Sequence, residues 1–173
     1  FNLGEDVRDW SIAWARKDLI NSGPDFNNIV TIYSRPFDKR FTYYTGKSKG
    51  FHCRPHTDVM RHVIKHPNYA LIFTRYTSKD KPFNHIFITR DMIIARFYTD
   101  ASCVPYLAPL YRYSENTGQI NIGQSAERTP NLNSEIVKQI AERLGLTFTN
   151  EKEDAKDAFA PIDLLDYIYA VLH

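Results

Sequence analysis

Apolar residues recur at three- and four-residue spacing near both ends of the chain, and in shorter β-branched and aromatic runs between them. Residues 6–22 read as a helix. Asp6 is its expected cap, Trp10, Ala13, Trp14 and Val7 lie along one side, and Gly23-Pro24 stops it. The pattern is clearest at 134–144, with Asn133 as N-cap, Ile136, Val137, Ile140, Ala141 and Leu144 as the apolar face, and Gly145 as the stop. A last helix opens at Pro161, a residue tolerated at a first helical position. Leu164, Leu165, Ile168, Tyr169, Val171 and Leu172 cover more than half of its circumference, so it is either sandwiched in this domain or docked on a neighbour. A short helix is expected at 55–65, started near Thr57 or Asp58, with Val59, Met60 and Val63 facing inward.

Strands are expected at 29–33, 41–44, 70–76, 85–89, 92–97 and 108–113, with a shorter one at 120–122. Arg35-Pro36-Phe37-Asp38 turns the chain between the first two. Residues 77–83 and 151–157 read as charged loops and 121–133 as a polar linker. The expectation is α+β: a mainly antiparallel β core, helices flanking it at both ends, and one short inserted helix. The whole chain, 1–173, reads as one domain, with 1–24 a helical linker to something upstream and 134–173 a C-terminal helical part.

Net charge is only +2, which by itself names no partner. Its distribution changes the picture. Residues 35–96 hold thirteen basic and four acidic side chains, and 134–173 hold four basic and eight acidic. One end therefore suits a polyanion and the other does not. The basic stretch interleaves its charges with Phe37, Phe41, Tyr43, Tyr44 and Phe51, rings that can pack on sugars or bases. Cys53 and Cys103 form no CxxC pair and no disulfide framework, so a reducing cytoplasm is the expected compartment. No apolar run reaches membrane length, and the chain begins at Phe1, so it reads as a piece of a longer protein.

Searches for catalytic chemistry end without a site. Gly46-Lys47-Ser48 lacks the upstream glycine of a phosphate-binding loop, because Phe41 stands there. His52, Cys53, His62 and His66 cluster in sequence without metal-ligand spacing, so no metal is expected. Amino-methylation of adenine would need an Asn/Asp-Pro-Pro-Tyr/Phe loop. His66-Pro67-Asn68-Tyr69 is the nearest match, and its first position cannot accept the amino hydrogens as Asn or Asp would. No catalytic residue and no cofactor is expected within this chain.

Several motifs together carry a resemblance. Arg35-Pro36-Phe37-Asp38-Lys39-Arg40 with Tyr43-Tyr44, Arg54-Pro55 with Val59-Met60-Arg61-His62, Pro109-Leu110-Tyr111, Asn131-Leu132-Asn133 and the block 159–173 are similar to the C-terminal target-recognition domain of type ISP and related single-chain restriction-modification enzymes. His56, where arginine is expected, and Arg112, where a small or apolar residue is more usual, depart from that pattern. The resemblance implies a domain that selects the double-stranded DNA sequence on which upstream nuclease and adenine-N6 methyltransferase domains act. Those domains would use S-adenosylmethionine and magnesium, with ATP where a translocase is present. The alternative, from a different class, is a protein-interaction or assembly module presenting Trp10, Trp14 and the last helix.

If shared motifs build the frame, Arg35, Arg40 and Arg61 are structural arginines paired with Asp38 or Asp58, or else DNA ligands, and Asp38 is a scaffold residue. Lys39, Lys47, Lys49 and Arg54 are the candidates for phosphate contacts. Base reading falls to the segments between the motifs, where Arg75, Lys79, Lys81, Asn84, Arg90 and Arg96 carry donors that suit guanine or adenine edges.

Overall fold

A computed structural model of the chain describes residues 5–77, 83, 85–98, 103–114 and 127–172. In chain order these residues form α1 (Ile12–Ser22), a 3₁₀ turn (Phe26–Asn28), β1 (Ile29–Arg35), β2 (Asp38–Tyr43), α2 (Thr57–Ile64), β3 (Ala70–Phe73), β4 (Phe87–Thr89), β5 (Met92–Ile93), β6 (Tyr106–Pro109), β7 (Tyr111–Tyr113), β8 (Arg128–Pro130), α3 (Ser134–Leu144), β9 (Thr147–Phe148), β10 (Ala158–Phe159) and α4 (Pro161–Leu172). The class is α+β, as expected, with helices at both ends and one inserted in the middle. The β structure is divided among four small sheets, ordered β2-β1-β5, β4-β3-β6, β7-β8 and β10-β9. Pairing is antiparallel except between β1 and β5 and between β9 and β10. Among the described residues no helix is long and apolar enough to cross a membrane.

The continuous apolar run of β3 follows from burial on both faces. Ile72 packs with Ile93, Phe97, Tyr98 and Cys103. Leu71 and Ile88 lie on the other side, against Leu110, Tyr111, Tyr113 and Leu165 of α4. A third cluster, Ile32, Tyr44, Met60 and Met92, joins the β1 sheet to α2, and Leu107 packs against both it and the Ile72 cluster. Each such side chain contributes about 2 kcal/mol through burial.

Boundaries shift where a local bond overrides the pattern. The first helix begins at Ile12 rather than residue 6. Ser11 caps it, and Asp6 Oδ1 accepts the Ile12 N–H at 2.7 Å from outside the helix. α2 starts at Thr57, as expected, two residues inside the expected 55–65. His56 holds the N-cap position in the left-handed region, at φ 48°, and the Thr57 hydroxyl donates to the Gly46 carbonyl. The run 70–76 stops pairing at Phe73, where Thr74 Oγ1 accepts the Tyr76 N–H. The expected strand at 92–97 ends at Ile93, because a turn returns the Phe97 N–H to the Ile94 carbonyl. The run 108–113 divides at Leu110: β6 pairs with β3, β7 pairs with β8, and Leu110 N–H donates to Tyr69 O. Part of the expected linker, Arg128–Pro130, is a strand. The possible strand at 120–122 lies outside the described residues. α3 keeps its predicted bounds, capped by Asn133 and ended by Gly145 at φ 65°.

A buried polar clasp fastens α2 to β7. Asn68 donates to His62 O at 3.0 Å and to Tyr111 O at 2.8 Å, and accepts the Tyr111 N–H. His62 Nδ1 accepts the Tyr113 N–H at 3.0 Å, which requires an unprotonated nitrogen; burial holds this imidazole below its ordinary pKa.

Candidate nucleic-acid interface

The basic, glycine-bounded loop after β2 is built around a residue from another element. Asp18 of α1 is 5% exposed. Its Oδ2 accepts the Thr45 hydroxyl at 2.6 Å and the Phe51 N–H at 2.9 Å, and Lys47 Nζ stands 3.8 Å from Oδ1. Gly50 lies directly against the carboxylate, and a Cβ there would overlap it. Trp10 Nε1 donates to the Gly50 carbonyl at 3.0 Å, and Lys49 Nζ sits 5.6 Å from the centre of the Trp14 ring. The two tryptophans are thus engaged by this loop. Lys47 and Lys49 remain exposed at its surface.

The hairpin of β1 and β2 runs from this loop to a tip about 20 Å away, the length of a seven-residue strand. The tip is anchored to the next sheet. Arg35 Nη1 donates to the Ser34 carbonyl and, at 2.6 Å, to the Arg96 carbonyl. The Phe37 ring meets Phe87 edge-on at 6.3 Å. Asp38 binds Ser34 and Arg40, and the Arg40 guanidinium holds its carboxyl below the usual range. β3 ends, and β4 and β6 begin, at this same end of the β4-β3-β6 sheet, since Phe73 pairs with Tyr106 and Ile72 with Phe87. Arg75 lies here, its guanidinium 4.7 Å from the Tyr106 ring centre.

Arg90 lies at the opposite end of that sheet, next to the Ala70–Thr89 pair. It bonds to the Tyr69 hydroxyl and stacks over that ring at 4.2 Å. Arg90 lines two clefts, one of about 550 Å³ between β1, α2 and β5, the other of about 270 Å³ bounded by Tyr69, Tyr111, Arg128 and Ile162. In the second, Arg128 stacks over Tyr111 at 4.0 Å while bonded to Glu151, which pushes its pKa up.

Of the phosphate candidates, Lys39 faces Asp91 at 3.3 Å, Lys47 faces Asp18, Lys49 faces Trp14, and Arg54 is exposed with no hydrogen bond or ion pair among the described residues. The Lys39–Asp91 pair is partly exposed and contributes little where it stands, so Lys39 is available to phosphate, whereas Lys47 keeps its exposed amine beside a buried carboxylate. The base-reading candidates do not form one cluster: Arg75 and Arg96 share the hairpin-tip end, Arg90 sits apart, and Lys79, Lys81 and Asn84 lie outside the described residues. Among the frame candidates, Arg35 and Asp38 make internal bonds, Arg61 is half-buried on α2, and Arg40 is exposed. The histidines have separate duties. His52 bonds Thr42 at 3.0 Å and is held below its ordinary pKa by burial, His62 serves the clasp, and His66 stacks on Tyr113 at 3.9 Å. Asp18 was not singled out in the sequence. Its signal is a carboxylate four residues after Trp14, on the apolar side of an amphipathic helix.

Comparison with curated proteins and with solved structures gives no match for this chain. The family model of the type ISP C-terminal specificity domain matches residues 1–173, and the chain belongs to that family.

Proposed function

We propose that this domain reads double-stranded DNA and thereby selects the site at which a parent restriction-modification enzyme methylates adenine at N6 and cuts. The observation that carries this reading is the pinned basic loop. A specificity domain that spends a buried carboxylate on fixing Lys47 and Lys49 in place presents cations at a set spacing, as phosphate contacts require. Arg54 and Lys39 extend the cationic surface. Arg75, Arg90 and Arg96, together with Lys79, Lys81 and Asn84, are the proposed base readers. The loop and the hairpin tip lie about 20 Å apart, a reach of about six base pairs at 3.4 Å each. Residues 1–24 lead to the methyltransferase and nuclease domains, which bring S-adenosylmethionine and magnesium, and ATP where a translocase is present. The location is the cytoplasm.

Methylome mapping with and without the gene tests the proposal. One adenine-methylated sequence motif should vanish with the gene, and should change when this domain is exchanged for that of a relative. If no motif is lost, the proposal fails.

The assembly reading has one observation in its favour. Ile136, Leu144, Tyr167, Val171 and Leu172 are exposed on α3 and α4. Its tryptophan half is weakened, because Trp10 and Trp14 are occupied by the domain's own loop. Polar substitution of Ile136 and Tyr167 would disrupt assembly under this reading and leave duplex affinity unchanged under the first.

A further inference from the structure

The hairpin tip carries a residue that the fold does not explain. Pro36 followed by a residue with positive φ is the pattern of a type II turn, whose second central position is usually glycine. Here that position is Phe37, at φ 67°. A phenylalanine in the left-handed region is disfavoured unless its ring gains something from being there. Burial is not the gain, since Phe37 is 91% exposed, touching Phe87 only by an edge. Phe41, on the edge strand β2, is also 72% exposed.

The surroundings say which partner suits this ring. Arg35, Lys39 and Arg40 lie within three residues of it, and Arg75 and Arg96 come from the connections at the same end of the sheet. The tip is also fixed, through the Arg35–Arg96 bond and the Phe87 contact. An exposed apolar side chain on an anchored turn, with the exposed Lys39 and Arg40 close to it in the chain, is the arrangement that enters between base pairs while the charges exchange their carboxylate partners for the flanking phosphates.

We propose that Phe37 is an apolar wedge that inserts at a base step of the bound duplex, unstacking it, with Phe41 packing on the adjoining sugars. This rests on the DNA-reading proposal above and deepens it. The wedge fixes where along the duplex the readers sit, so it contributes to specificity through the deformability of one step as well as through contacts. Phe37 is a positioning residue in this scheme. The bases are read by the neighbouring arginines.

The test uses the full chain in which the domain occurs, with duplexes retained from a random-sequence pool and then scanned with 2-aminopurine. Phe37→Gly is the informative variant, because glycine suits the turn. It should raise the melting temperature, lower affinity for the retained duplexes about tenfold, and abolish the rise in 2-aminopurine fluorescence at one step. The slope of log affinity against log salt should not change, since no charge is removed. Phe37→Leu should keep part of the fluorescence rise. Equal affinity and fluorescence in wild type and Phe37→Gly would overturn the wedge while leaving DNA reading intact. Failure of the wild-type chain to retain any duplex at low salt would overturn both.

Discussion

The two ends of this domain are held by polar and apolar contacts in different proportion, a buried carboxylate at one and apolar burial with a partly exposed carboxylate at the other. At the N-terminal end a buried carboxylate, Asp18, organises the loop that displays Lys47 and Lys49, and the cost of burying it is offset by bonds from Thr45 and Phe51. At the C-terminal end Leu165 and Pro161 anchor α4 mainly by apolar burial, with the partly exposed Asp163 bonded to Lys152 and to the Ala160 N–H, while Tyr167, Val171 and Leu172 stay exposed. Charge follows the same division, basic over 35–96 and acidic over 134–173. The polar anchor fixes direction, because hydrogen bonds hold the loop in one geometry. Apolar burial fixes position, and at α4 only the first turn is also tied by hydrogen bonds, through Asp163. The proposed role of the loop, meeting phosphates at set places, calls for the first kind, and a helix that only has to stay attached can use the second.

Removing each anchor tests the contrast. Asp18→Ala strands the Phe51 N–H and the Thr45 hydroxyl beside a buried cavity, and should cost about 4 kcal/mol by chemical denaturation. Duplex affinity should fall further than this loss of stability explains, because the loop is released. Leu165→Ala should cost about 3 kcal/mol in the same measurement, with duplex affinity unchanged while the protein remains folded. If both variants lost affinity in proportion to stability, the loop would have no special place.

Charge removal at the surface separates display from support. Lys49→Gln should leave the melting temperature within about 1 °C, and reduce the salt slope of duplex binding by about 0.9. Arg143→Gln, on α3, should change neither.

Acid should act on the two ends in different pH ranges. His52 and His62 are held below the ordinary value of 6.5 by burial. The unfolded chain therefore binds protons first as pH falls below 6.5, and stability declines until the folded histidines also titrate. Asp163, at the start of α4, is held below the ordinary 3.8 by Lys152, so its contribution persists to lower pH and is lost as pH falls through its depressed value. Thermal denaturation should show a first loss as pH falls below 6.5, ahead of the loss from the carboxylates. His62→Asn, which keeps an acceptor for the Tyr113 N–H, should reduce it and leave the share of His52. The smallest effect is expected at the exposed apolar face. Ile136→Ser should change stability by no more than about 0.5 kcal/mol.

The strongly periodic elements were legible in the sequence. α3 has its predicted bounds because its cap, its face and its glycine stop all lie within a dozen residues. The β1–β2 hairpin was legible from its proline turn. β9 and β10 were not, since two-residue strands have no period, and they exist only because Thr147 and Phe148 find partners across a charged loop. The break at Leu110 was hidden for the same reason: one apolar run serves two sheets, and only the partners reveal the boundary. For the candidate site, the basic loop and the arginines are candidates that the sequence supplies by charge alone. The sequence could not show that Trp10 and Trp14 cover that loop, or that Arg75 and Arg90 lie at opposite ends of one sheet.

Local order and chemical inventory were thus determined by the sequence itself: which segments are helical, where the cations are, and which family motifs are present. These depend on neighbours along the chain. The tertiary structure decided which cations are paired, which rings are buried, and which positions converge. Those outcomes depend on contacts between residues far apart in sequence, such as Asp18 with Phe51 and Arg35 with Arg96, and no pattern along the chain encodes them. Phe37 shows the difference most clearly. In the sequence it is the aromatic member of a turn motif, and in the fold it is an exposed ring held in a glycine's conformation.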